Sequence, residues 1–541
     1  MQLARVEISN FRGIKRLSLP FDNLSVLLGE NAWGKSSLLD ALDILLSPHI
    51  DNYAFKQSDF YLDHIQKHQP SHSLTIALIW HEDYEGESHL QRYRAFSTFW
   101  CATDTGRQLC MAISAQQHAS GKITTQRHFL DHHGNPLACD EPLAIFSRIR
   151  SLHPLVRIRD ARRLRNIELE NGHRSITHER LAKRLNNTCR RLLTTPGHVN
   201  DGELKSSINA LHTLIEHYFA FTPHNRHQTE RHVFKSDSQT PLMWLNQNSF
   251  SKQQKLLMIG LLNAYIRARG PVTLKRLSRP ILLLEDPEGR LHPTMLQQAW
   301  RFFTQLPVQQ VITTNSAELL GAMPLESLRK LQRHPDGLRV FSLPPRALSD
   351  EQRRRVYFHV RYHRPNALFA RCWLLVEGET EVWLFSELAK LLGYHLPSEG
   401  IQLIDFAQSG LKPLVKTAKL LGIEWHMISD GDMAGQKYAH QAEQLAGPNM
   451  SNMRLTKLPA RDIEHFLYKN GYEPLFKQLA GVPEGSPLTP KRIIAKALKK
   501  NAKPDVALAV VEYTEQFGSD FVPVLLRWTL KRLVAMARAQ A

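Results

Sequence analysis

The apolar positions of this chain change period several times, and each change marks an element. Residues 2–28 alternate apolar and polar positions with breaks at Phe11-Arg12-Gly13 and Asp22-Asn23, which predicts two or three strands. The last of these, Leu24 to Leu28, is almost continuously apolar and runs into the Gly-rich turn Gly29 to Gly34. Beyond the turn, Leu38, Leu39, Leu42 and Leu45 recur at helical spacing. From Ser73 to Asp131 alternation returns in four segments, SLTIALIW, LQRYRAFSTFW, QLCMAISAQ and ITTQRHFLD. Turn residues at Asp104-Thr105-Gly106 and Gly134-Asn135-Pro136 separate some of them, predicting an antiparallel β-subdomain. Leu155 to Ile158 is a further strand with a basic end. Between His178 and Phe221, Leu181, Leu185 and Leu192 share a helical face, and Thr195-Pro196-Gly197 breaks the run into a hairpin. That hairpin is either a solvated arm or a dimerisation contact.

Two buried strands follow, Ile281 to Leu284 and Val311-Ile312, each ending in polar residues. After a stretch rich in arginine (Arg353, Arg354, Arg355, Arg361, Arg364, Arg371), strands alternate with helices from Cys372 onward, as in a parallel sheet. The fold class is therefore α/β. With 541 residues, the chain has room for about three or four domains. Its net charge of +18, from 69 Lys+Arg against 51 Asp+Glu, favours an anionic partner such as nucleic acid. No apolar run approaches the ~18 residues of a membrane span. The opening MQLARVEISNFRG lacks a signal-peptide core, and Cys101, Cys110, Cys139, Cys189 and Cys372 are scattered without a C-x-x-C pair. The expectation is a cytoplasmic protein without structural zinc. His128, His132 and His133 flank a hairpin turn and lack cysteine partners, so they make a poor metal set.

Two constellations carry chemistry. Gly29, Gly34, Lys35 and Ser36 satisfy G-x-x-x-x-G-K-[ST] between a buried strand and a helix, the order a polyphosphate cradle needs. Glycines let backbone N–H groups close round the phosphates, Lys35 reaches the β- and γ-phosphates, and Ser36 ligates Mg²⁺. Asn31 and Ser37 are further candidate contacts to ATP. The strand tip Glu285-Asp286 supplies the partner half, Glu285 for the Mg²⁺ shell and Asp286 to orient the attacking water. In the C-terminal region Glu377, Glu381, Asp430, Asp432, Asp462 and Glu464 gather at or near strand ends. Burying six carboxylates together would cost several kcal/mol each unless cations sat between them, which points to Mg²⁺ or Mn²⁺ with oxygen ligands. Capping of helix N-termini accounts for Glu379 or Thr380 but not for the whole set.

Val6-Glu7-Ile8-Ser9-Asn10-Phe11-Arg12-Gly13 followed by the P-loop resembles the SMC/RecF-like branch of ABC ATPases, and E-G-E-T-E followed by D-G-D is similar to a Toprim domain. Joined in one chain, they look like the OLD (overcoming lysogenization defect) family of ATP-dependent endonucleases. The resemblance implies an ABC ATPase N-terminal lobe over 1–165, a helical insertion over 166–230 and a C-terminal lobe over 231–345. A basic linker over 346–370 and a Toprim nuclease domain with C-terminal helices over 371–541 would follow. It further implies that Glu377, Glu381, Asp430 and Asp432 hold metal, that Asp462 and Glu464 complete a two-metal site, and that a lysine assists. Lys503 is the best match, with Lys499 and Lys500 as rivals. DNA is the implied substrate, a homodimer or higher homo-oligomer the implied assembly, and phage defence or DNA repair the implied setting; a helicase partner is left open. Ser251 falls at the ABC signature, but Phe250 and Lys252 stand where related proteins carry glycine, and Asn315 replaces the switch histidine. These departures predict slow ATP turnover.

Overall fold

The computed structural model describes residues 1–30, 33–47, 53–63, 69–104, 106–159, 279–288, 297, 300, 308–447 and 450–540. Two compact units emerge, one formed by Met1–Met323 and Ser327–Val340, the other by Pro324–Glu326 and Phe341–Ala541. Asn31, Phe250, Ser251, Lys252 and the expected hairpin over 178–221 lie outside the described residues.

Among the described residues the first unit holds two large sheets and a two-stranded one that pairs Leu62–Asp63 with Gln69–Pro70. Its larger antiparallel sheet comprises β1 (Gln2–Phe11), β2 (Ile14–Pro20), β4 (Ser73–His81), β5 (Trp100–Thr103), β6 (Gly106–Gln117), β7 (Ile123–Leu130) and β8 (Pro136–Leu137). Their order is β8-β7-β6-β4-β1-β2, with β5 paired to β6. The alternation of β1 buries Val6 and Ile8 while Glu7 stays exposed. The expected strand over LQRYRAFSTFW is instead a 3₁₀ helix over Gln91–Phe99, and only Trp100 onward is strand. Tyr93, Phe96 and Phe99 are spaced by three and all buried; three residues per turn puts them on one edge of a 3₁₀ helix, whereas a strand would split them between faces.

The second sheet includes β3 (Leu24–Leu28), β9 (Leu155–Arg159), β10 (Ile281–Glu285), β11 (Gln309–Thr313), β12 (Leu328–His334) and β13 (Gly337–Phe341), in the order β9-β10-β11-β3-β12-β13. β3 lies parallel to both β11 and β12, and β10 lies parallel to β9 and β11. Helix α1 (Lys35–Leu46) leaves the C-terminal end of β3 and buries Leu38, Leu39, Leu42 and Leu45. The tips of β3, β10 and β11 thus converge where ligands bind in open parallel sheets.

The second unit contains a parallel sheet in the order β15-β14-β16-β17, from β14 (Cys372–Val376), β15 (Ile401–Asp405), β16 (Glu424–Ser429) and β17 (Leu455–Lys457). All five residues of β14 are buried, as an interior strand requires. Of the helices that follow strand ends, three carry acidic residues at or beside their starts: α2 (Glu379–Leu391), α3 (Met433–Ala446) and α4 (Ile463–Leu467). Residues 350–369, in the expected linker, are helical and belong to this unit. Among the described residues no helix is long and apolar enough to cross a membrane.

Candidate functional site

In the first unit the turn after β3 is shaped by Gly34, whose φ of 80° is left-handed. A Cβ there would stand 3.1 Å from both Ile14 and Leu338. Helix α1 starts directly after it with no side-chain cap and no acidic residue in its first turn, which leaves its positive end suited to an anion. Lys35 is buried, and its Nζ donates to Gly29 O at 2.6 Å and to Asn315 Oδ1 at 3.2 Å. Burial lowers the Lys35 pKa, while Asp286 and Glu288 oppose that shift. Ser36 is exposed, and Ser37 Oγ accepts from Gly13 N at 3.4 Å.

Asp286 is held in a left-handed conformation, φ 44°. Its N–H donates to Thr313 O and Oγ1, each at 3.1 Å, and Thr313 Oγ1 donates back to Asp286 Oδ1 at 3.0 Å. Two residues carry parts that the sequence did not assign. Glu288 accepts from Asn315 N at 2.6 Å and from Thr314 Oγ1 at 3.0 Å, so it joins the Lys35 neighbourhood; its signal was its place two residues beyond Asp286. Arg157, on β9, contacts Glu285 at 3.0 Å, Asp40 at 2.6 Å and Asp43 at 3.4 Å. One largely buried guanidinium therefore ties the Glu285 carboxylate to the flank of α1. Replacing Arg157 with Met should destabilise the first unit by about 2 kcal/mol, because it takes a charged hydrogen-bond partner from Glu285, Asp40 and Asp43; urea denaturation with an unchanged midpoint would contradict this.

In the second unit the acidic residues fall into two groups. Glu381 accepts from Gly378 N (3.0 Å), Asp432 from Gly435 N (2.7 Å), and Asp462 from His465 N (2.8 Å), so each caps or closes a helix start. Asp462 also meets His465 Nδ1 at 2.5 Å. Capping therefore covers three of the six carboxylates, Glu381, Asp432 and Asp462. Glu377 and Asp430 do not belong to that group. Glu377 Oε2 is buried with no hydrogen-bond partner among the described residues. The Glu377 pKa is raised by burial, then by Asp432 and Glu381, with Lys503 working the other way. Burial, then Glu381, Glu377, Asp462 and Glu464, push Asp430 up to about 8. Glu464 is likewise raised, chiefly by burial and then by Asp462, again with Lys503 opposing. Lys503, at the first turn of a helix over Lys503–Phe517, thus acts electrostatically on both Glu377 and Glu464. Among the described residues no three side chains of the ligating kind are gathered closely enough to hold an ion as they lie.

Gly431 sits between Asp430 and Asp432 in close backbone contact. Its N–H donates to Ala460 O at 2.9 Å, and a Cβ there would collide with the carbonyl oxygens of Ala460 and Leu458. This contact brings the loop preceding Asp462 beside Asp430. A cleft of about 750 Å³ opens here, lined by Asp430, His440, Lys457 and Arg461 among others. A carboxylate oxygen without a partner among the described residues, a carboxyl group whose pKa is raised by burial and then by its acidic neighbours, and hard oxygen donors are the features a divalent cation would satisfy.

The first unit sets the Lys35 turn at the tips of a sheet built around parallel strands, and the second is an α/β unit with a four-stranded parallel sheet. The chain belongs to the family described as protein of unknown function (DUF2813), whose model matches residues 1–367, and residues 368–432 match the overcoming lysogenization defect protein-like TOPRIM domain. The latter span includes Glu377, Glu381, Asp430 and Asp432 but ends before Asp462. An uncharacterized protein of Escherichia coli strain K12, YbjD, is 40% identical over the full length of both chains. The OLD nuclease of Thermus scotoductus is 23% identical, covering 80% of this chain and 82% of that one. The C-terminal region of the Burkholderia pseudomallei OLD protein is 19% identical with a TM-score of 0.27, covering 32% of this chain and all of that one.

Proposed function

We propose that this protein is a metal-dependent DNA endonuclease of the OLD family whose head binds ATP as a conformational signal. The observation that carries the reading is the buried Glu377 Oε2, left without a hydrogen-bond partner among the described residues, together with the raised Asp430 carboxyl, on which burial and the charges of Glu381, Glu377, Asp462 and Glu464 act. Glu377 and Asp430 would hold Mg²⁺ or Mn²⁺, with Glu381, Asp432, Asp462 and Glu464 completing two positions. Bound divalent ions would activate a water and stabilise the leaving oxygen of a phosphodiester. Lys503 would offset charge that builds on the scissile phosphate. The relatives named as nucleases and the matched Toprim span support this assignment.

In the head, Gly29, Gly34, Lys35, Ser36 and Ser37 would cradle the phosphates, Glu285 would serve the Mg²⁺ shell and Asp286 would orient the attacking water. Asn315 already engages Lys35 through its side-chain oxygen and offers no imidazole for proton transfer, in keeping with slow turnover. A plasmid-nicking assay with and without Mg²⁺ or Mn²⁺ tests the enzyme directly. Intact supercoiled plasmid under both ions would favour the second reading, a DNA-binding ATPase or scaffold in repair or recombination. That reading draws on Glu381, Asp432 and Asp462 serving as helix caps.

DNA binding should be sequence-tolerant and weaken steeply with salt, since lysine and arginine dominate residues 346–371 and 491–503. A dissociation constant that holds steady between 50 and 200 mM salt, conditions chosen for their roughly 10³-fold expected contrast, would count against it.

A further inference from the structure

The helical run from Asp350 to Tyr362 has two unlike faces. Val356 and Val360 are fully buried, and Tyr357 anchors the inner side through hydrogen bonds to Glu326 and Leu325. Arg354, Arg355, Phe358, Tyr362 and the adjoining His363 are exposed. Phe358 is 54% and Tyr362 70% accessible, and their rings lie 9° from parallel with centroids 6.4 Å apart. The wide turn of a π-helix over Tyr357–Tyr362, an irregularity frequent at functional sites, sets this register.

The charge around these rings is basic. Five arginines stand against two acids between Asp350 and Arg364. Arg355 pairs with Glu351, and Arg354 Nε donates to Asp350 O at 3.3 Å. Arg361 lies over the Tyr357 ring at 4.3 Å, and Arg364 pairs with Asp405 at 2.7 Å.

We propose that this face is a stacking platform for unpaired nucleotides. Phe358 and Tyr362 take the faces of bases, and Arg354 and Arg355 meet the backbone phosphates. The proposal rests on the DNA reading above and adds a strand class, single-stranded or flapped DNA. Bases inside a duplex already cover one another's faces and cannot lie on a protein ring, whereas every unpaired base can. A hydrophobic protein partner would not call for arginines on the same helical face as the rings.

The test uses the full chain in EDTA and fluorescence polarisation with a labelled thymidine 20-mer and a duplex of equal length. Phe358→Ala with Tyr362→Ala should weaken single-strand binding at least about tenfold and change duplex binding less than about twofold. Phe358→Tyr with Tyr362→Phe should retain it. Both positions are exposed, so an unchanged melting temperature will accompany the loss. Unchanged single-strand affinity in the alanine pair, or an equal loss on both ligands, overturns the platform. An altered subunit number by light scattering with DNA affinity intact also overturns it and makes the face a protein interface. Wild-type protein that binds neither DNA defeats the underlying DNA reading, a result distinguishable from failure of the platform alone.

Discussion

Asp430→Asn should stop the proposed metal-dependent DNA cleavage, with a loss of roughly 10²–10³-fold or more in rate, and should raise the melting temperature of the metal-free protein at pH 8. The two effects share a cause. The Asp430 carboxyl is pushed up to about 8 by burial and by Glu381, Glu377, Asp462 and Glu464, so the folded state keeps a proton that the unfolded chain releases near pH 4. Between those values the folded state binds more protons, and its stability therefore falls as pH rises. Asparagine removes the penalty. The gain should vanish near pH 4, grow through neutrality and level off above pH 8, with a shift on the order of 5 °C. Mg²⁺ or Mn²⁺ should shrink it by stabilising wild type alone. Cleavage that survives in the variant removes the nuclease assignment. A variant less stable than wild type in metal-free buffer at pH 8 would mean that Asp430 serves the fold and is not a crowded ligand.

Lys35→Ala should cost at least ~10²-fold in ATP affinity by calorimetry, since it deletes the buried ammonium at the start of α1 that would supply charge-assisted contacts to phosphate. The remaining walls of the turn, Gly34 against Ile14 and Leu338, do not depend on the lysine. Unmoved affinity would dispose of the P-loop assignment. The same variant should leave metal-dependent nicking measurable without nucleotide if ATP acts as a signal and not as a participant in the chemistry.

The sequence revealed the elements whose burial is complete, and it was weakest where partners are distant. Continuous apolar runs ending in Gly29, Glu285 and Asp430 could be read directly, because an interior parallel strand leaves no other pattern available. The stretch around Tyr93, Phe96 and Phe99 misled because aromatic residues mixed with polar ones suit a strand as well as a narrow helix, and only the repeat of three tells them apart. Arg157 could not have been paired with Glu285 in advance; 128 residues separate them. Glu288 needed the β11 tip to reveal it. Asp432 and Asp462 each precede a helix, so their capping was open to inspection, but a carboxylate has two oxygens and capping by one says nothing about the other. Lys503 came from resemblance, and its electrostatic reach to both Glu377 and Glu464 is a finding of the structure.

Gly431 bears on how mutational data for this protein should be interpreted. In a saturation library screened first for soluble protein and then for cleavage, substitutions at Asp430 and Asp432 should pass the first sieve and fail the second. Those at Gly431, alanine included, should already disappear at the first, because any side chain must displace the carbonyls of Ala460 and Leu458. Neighbouring positions that look equally intolerant in a single activity screen would then part into chemistry and architecture, with the glycine as the internal standard for the second class.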